Sequence, residues 1–176
     1  EGLVGMMIGT QYSWLVVLGL FMVVSWVAES WARNATSLST QYMGLALYVI
    51  AQAGIFVPIL FIATQIPGVV PTAGVATLVL FAALTGVVFM TRTDFSFLRS
   101  VLIFSGFAAL ALIVCAILFG FALGPIFTVA MIAFACGYIL YDTSQIMLHY
   151  RTDQYVAASL ALFASVALLF WYILRL

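Results

Sequence analysis

The chain has 176 residues, 67% of them hydrophobic and 6% charged, with a mean hydropathy of +1.31. Ordinary soluble domains are ~45–50% apolar and ~25% charged, so five arginines and five acids, with no lysine, leave too little charged surface to dissolve a globule of this size. Zero net charge without a basic stretch excludes a nucleic-acid partner, and Cys115 and Cys136, set inside apolar runs, give neither a metal spacing nor a disulfide framework.

The opening segment, EGLVGMMIGTQ over 1–11, is apolar and glycine-rich but too short to span a bilayer. It lacks the basic region of a signal peptide and reads as the remnant of a preceding helix. A helix needs ~20 apolar residues to cross a ~30 Å hydrocarbon core. Charges and turn residues cut the chain into six such lengths, roughly 12–31, 42–64, 68–90, 98–120, 124–147 and 155–175. The expectation is an all-α polytopic membrane protein, one transmembrane domain over 1–176 with linkers too short for a soluble domain. Uninterrupted apolar runs without alternation exclude a barrel.

Ser25, Glu29 and Arg33 share a face at the end of the first span, with Glu29 and Arg33 in the favourable order for an i,i+4 ion pair. The alternative is that Arg33 reaches across to Asp142. Asn34-Ala35-Thr36 fits a glycosylation acceptor, but the expected topology puts it on the wrong side of the membrane. Gln41, Tyr48 and Gln52 share a face of the second span, and Pro58 falls inside it, where it should kink the helix or free a carbonyl. Asp94 precedes the fourth span and reads as its N-cap. Gly120 and Gly124 have helix-packing spacing but stand in a turn, and Pro125 falls in the first turn of the fifth helix, where its missing N–H costs nothing.

The fifth span carries the most informative residues, because polar groups are costly at membrane depth. Tyr138, Asp142, Gln145 and His149 recur at intervals of four, three and four, one polar stripe on one helical face. Asp142 stands within ~10 Å of the span's end, at ~1.5 Å per residue. An aspartate at the bilayer centre costs ~2.5–3.5 kcal/mol on insertion scales. The cost falls if the side chain faces other helices, finds donors or takes up a proton. The stripe reads either as an interhelical hydrogen-bond seam or as a proton- or ion-responsive site.

Arginine placement gives orientation. With alternating spans, Arg33, Arg92, Arg99 and Arg151 share one face of the membrane and Arg175 marks the other, so the loops after the first, third and fifth spans are expected in the cytoplasm. Enzymatic chemistry is not expected. An intramembrane aspartyl protease needs two carboxylates sharing a proton, and no second acid lies deep in another span. The single histidine sits at a span edge, and the sequence carries no phosphate loop, haem-type histidine cluster or HExxH motif. No cofactor is expected.

The stretch YILYDTSQI at 138–146, followed by a short polar loop and a last apolar span, together with TRTDFSFL at 91–98, resembles the Bax inhibitor-1 family, also called transmembrane Bax-inhibitor-motif proteins. Tyr42 and Pro58 add a looser match. The likeness covers roughly 40–176 and is closest to the bacterial branch. It implies a seven-helix bundle wrapped around the C-terminal helix, of which six spans are present, in a bacterial inner membrane. It also implies a pH-sensitive calcium leak in which a pair of aspartates on the last two helices shares a hydrogen bond. Asp142 matches the first of that pair, and the second position falls on Ser165, which can hydrogen-bond Asp142 but cannot share a proton as a second carboxylate. The resemblance thus points to Asp142 and Ser165 as gate residues and to Asp142 as a possible calcium contact, and the placement of Arg33 near the same side of the membrane adds it to the gate as a possible counter-ion. Tyr138, Gln145, His149, Gln52 and Tyr48 would form the polar lining. A bacterial member without the aspartate pair restrains the membrane-anchored FtsH protease, and this is the alternative function.

Overall fold

The computed structural model describes residues 11–33 and 37–176. Residues 1–10 of the opening segment and the Asn34-Ala35-Thr36 motif lie outside the described residues. Six helices follow in order: α1 (Gln11–Ala32), α2 (Leu38–Ala63), α3 (Val69–Thr91), α4 (Leu98–Phe119), α5 (Pro125–Leu148) and α6 (Tyr155–Arg175). All six are long and apolar enough to cross a membrane. No strand occurs among the described residues.

Backbone chemistry sets the breaks. Gly68 precedes α3 at φ 84°, and Gly120 closes α4 at φ 71°, both in the left-handed region that glycine enters without a Cβ penalty. The Gly120 N–H bonds to Ala116 O at 2.9 Å, satisfying one of the last carbonyls of α4. Arg92 closes α3 in the same way but at φ 49°, an uncommon conformation for a side-chain-bearing residue. Pro125 occupies the first turn of α5. Helix α2 begins at Leu38, four residues before the polarity of Gln41 suggests, because Ser37 is extended and the chain turns helical immediately after it. Pro58 lies inside α2 and is buried.

The C-terminal helix is the centre of the bundle. Helix α6 packs against α1, α2, α3 and α5 and is the most buried of the six. Its fully buried Leu169 packs with Ala135 and Ile139 of α5, and Phe170 stacks on Phe56 of α2 with ring centroids 5.7 Å apart. Outward faces are apolar: Trp26, Phe104 and Ile126 are 74%, 77% and 86% exposed. In water such continuous apolar surface would drive association; in lipid it is the solvated face.

Helices α1 and α2 meet over small residues. A Cβ placed on Gly44 would lie 2.6 Å from Ala28 O, 2.8 Å from Ala32 N and 2.9 Å from the Trp31 Cβ. Ala28 and Ala32, both buried, form the flat strip on α1 that admits this approach. Beside it Tyr48 joins Ala28, Ala32 and Leu160 in one cluster.

Candidate functional site

Asp142 sits on α5 six residues before the helix end, on the side facing α6. The Ser165 hydroxyl of α6 donates to Asp142 Oδ2, so a hydrogen bond ties the last two helices, which pack closely, together. No other carboxylate among the described residues lies more than one turn inside a helix: Glu29 is near the end of α1, and Asp94 and Asp153 are in loops. The adjacent Thr143 Oγ1 is buried without a hydrogen-bond partner among the described residues.

The polar stripe of α5 divides between two neighbours. Asp142 turns to α6, whereas Gln145 and His149 turn to the 92–97 loop. Gln145 Nε2 donates to Ser96 Oγ at 2.7 Å, and His149 Nε2 lies 3.5 Å from Asp94 Oδ2. Ser144, fully buried, accepts from the Phe95 N–H at 3.3 Å and donates to the Tyr141 carbonyl at 2.9 Å. Tyr138 is edge-on to Phe134 of the same helix, with ring centroids 4.9 Å apart. On α2, Gln41, Tyr48 and Gln52 are buried on one face, and Tyr48 contacts the rings of Phe21 and Phe163 at 6.0 and 6.2 Å.

Two expectations need correction. Asp94 does not cap α4: the N-cap position is Phe97, without a side-chain cap. Asp94 Oδ1 instead accepts from the backbone N–H of Ser96 at 2.9 Å and from its hydroxyl, because an aspartate reaches the N–H two residues on more readily than one four residues away. These Ser96 bonds, foremost the hydroxyl's, with a smaller contribution from His149, hold the Asp94 carboxyl below its ordinary 3.8. Arg33 does not contact Asp142. Its guanidinium lies 3.8 Å from Glu29, with the two side chains 67% and 45% exposed. The local i,i+4 partner is reached without ordering a long side chain across the bundle, and such exposed pairs are worth ~0.3–0.5 kcal/mol.

Arg33 is nevertheless at the same end of the bundle. Burial pushes the phenol of Tyr150, in the 149–154 loop, above its ordinary value, while the charge of Arg33 opposes that shift and those of Asp142 and Glu29 add to it. Glu29, Arg33, Asp142 and Tyr150 therefore form one electrostatic neighbourhood. The 92–97 and 149–154 loops are joined to it by the Asp94–His149 and Ser96–Gln145 contacts. Ser96, Ser144 and Gly44 are the residues that sequence reasoning passed over. The Ala28-x-x-x-Ala32 spacing was a readable sign of the last, while nothing local marks the first two.

Six membrane-length helices, the C-terminal one at their centre, with one carboxylate bonded between the last two, define a polytopic helical membrane protein. The profile of the family described as "Inhibitor of apoptosis-promoting Bax1" matches residues 2–176, and the chain belongs to this Bax inhibitor-1 family. A "BI1-like protein" of Arabidopsis thaliana is 34% identical over 117 residues, which cover 61% of this chain and 44% of that protein. The match thus spans less than half the length of this curated relative. No solved structure gives a significant match.

Proposed function

We propose that the protein is a non-enzymatic, pH-sensitive calcium or cation leak in which Asp142 is the titrating gate residue. The observation that carries this reading is the Ser165–Asp142 hydrogen bond between α5 and α6. When Asp142 is ionised it accepts from Ser165 and ties the last third of α5 to the middle of α6. When it takes up a proton, the charge that made this acceptor strong is gone and the two helices are freer to part. Arg33 supplies a counter-charge at the same end rather than a direct partner. Gln52, Tyr48 and Tyr138 offer polar atoms along the bundle, and Gln145 and His149 tie the exit to the 92–97 loop. Calcium would touch Asp142 in passage rather than reside there. The arginine-bearing loops face the cytoplasm by the positive-inside rule, in a bacterial inner membrane.

A second reading is favoured by one observation, the hydroxyl of Ser165 where a second carboxyl would permit proton sharing. In it the bundle binds and restrains an FtsH-type protease and its polar residues are structural. Liposomes loaded with a calcium indicator separate the two. Flux above protein-free liposomes that changes between about pH 6 and pH 8 supports the leak. Absence of flux at either pH, with co-purification of the protease from native membranes, supports the modulator.

A further inference from the structure

Away from Asp142, a groove of about 490 Å³ opens where α5 ends and α6 begins. Its volume is in the ~300–1,000 Å³ range of small-molecule sites. One end is apolar, walled by Ile146 and Met147 of α5 and by Ala158 and Leu162 of α6. The other end is polar and lies in the loop, where Arg151, Thr152 and Gln154 form the rim. Arg151 is the one charged residue of the lining, and no acid lines the groove. The Arg151 side chain is 80% exposed, and it pairs through Nε with Oδ1 of Asp153 at 3.4 Å, a residue that does not itself line the groove. From Tyr155 to Leu162 the wall descends ~10 Å along α6 at ~1.5 Å per residue, which is the depth from headgroup level to the upper acyl chain.

We infer that this groove binds a phospholipid with an anionic headgroup, the phosphate at Arg151 and Thr152 and one acyl chain along Ile146, Ala158 and Leu162. The position at the end of two membrane-length helices, the apolar-to-polar gradient along the wall and the exposed guanidinium of Arg151, which Asp153 meets through Nε, are complementary to that amphiphile. Ser159, whose hydroxyl already donates to Tyr155 O at 2.9 Å, leaves its oxygen as an acceptor only, so the headgroup contact falls to the loop. Tyr150 shares the groove wall with the electrostatic neighbourhood of Asp142, so an occupant would sit against a side chain that feels the charges of Arg33 and Asp142.

Native mass spectrometry of the full chain, released from nanodiscs containing equal phosphatidylglycerol and phosphatidylcholine, tests this without reference to ion flux. Wild type should retain one phosphatidylglycerol over phosphatidylcholine by about five-fold, the ratio equivalent to ~1 kcal/mol per arginine near an anionic surface. Arg151→Gln should reduce the ratio to near unity, while Arg99→Gln, at the same end of the bundle but outside the groove, should leave it unchanged. Equal retention of both lipids by wild type, or loss of preference as large in Arg99→Gln as in Arg151→Gln, would overturn the assignment. A lipid-free dimer that dissociates on Ala158→Trp would give the groove to a second copy and overturn it equally.

Discussion

Gly44→Ala tests the packing that holds α1, and with it Glu29 and Arg33, against the rest of the bundle. The added methyl would meet Ala28 O at 2.6 Å, Ala32 N at 2.8 Å and the Trp31 Cβ at 2.9 Å. Two of these three atoms are backbone of the facing helix, so relief requires the helices to separate rather than a rotamer to turn. Overpacking of this kind costs ~1–3 kcal/mol, against a gain of ~1 kcal/mol or less for alanine over glycine in a helix interior. The steric cost therefore outweighs the propensity gain, or at the low end cancels it. Gly54, on the same helix, has nothing within 4 Å of its virtual Cβ, and its substitution isolates the propensity effect. Thermal unfolding in detergent should place Gly44→Ala below Gly54→Ala by ~2–12 °C, at ~2–4 °C per kcal/mol for a chain of this size. Coincident midpoints for the two variants would refute the close approach of α1 and α2.

Other outcomes follow from the same structure. Ser165→Ala removes the donor to Asp142 and should lower stability by ~0.6–1.7 kcal/mol, from the average to the maximum of polar pairs between membrane helices; combined with Asp142→Ala, which removes the acceptor, the two losses should be less than additive in a double-mutant cycle. The 92–97 loop should respond to acid through Asp94. A carboxyl held below its ordinary value contributes its anchoring above the unfolded-state value and loses it as pH falls through the folded-state value. Hydrogen exchange of the loop amides, corrected for intrinsic rates, should thus be flat near neutrality and rise only below the usual carboxylate range. Asp94→Asn should show the faster exchange at neutral pH, and equal protection in both proteins would count against the contact. Ser165→Asp restores a carboxyl opposite Asp142 and should move the pH response of any flux, whereas an unchanged profile would separate this position from gating.

What the sequence revealed follows from the cost of polarity in lipid. Arg33, Arg92 and Arg151 with Gly68, Gly120 and Pro125 mark the breaks, since neither charge nor a helix-breaking backbone is cheap inside a span. Asp142 stands out for the same reason. Its partner Ser165 lies 23 residues away on another helix, and only the family likeness pointed there. The Ser96–Gln145 and Phe95–Ser144 bonds join residues 49 positions apart, and helical periodicity carries no information about which loop a polar side chain meets. For that reason the stripe from Tyr138 to His149 reads as one face in sequence yet serves two neighbours in space. Arg33 shows the opposite limit: local spacing was enough to name Glu29 as its partner, and the longer reach to Asp142 lost to it.

The gating role of Asp142 is tested most directly by the pH profile of calcium flux in liposomes carrying wild type or Asp142→Asn. Asparagine keeps the size of the side chain and its hydrogen bonding to Ser165 but cannot titrate. Wild type should show flux that changes between about pH 6 and pH 8, and Asp142→Asn should show flux independent of pH over the same interval. Superimposable pH profiles for the two proteins would contradict the assignment of Asp142 as the gate.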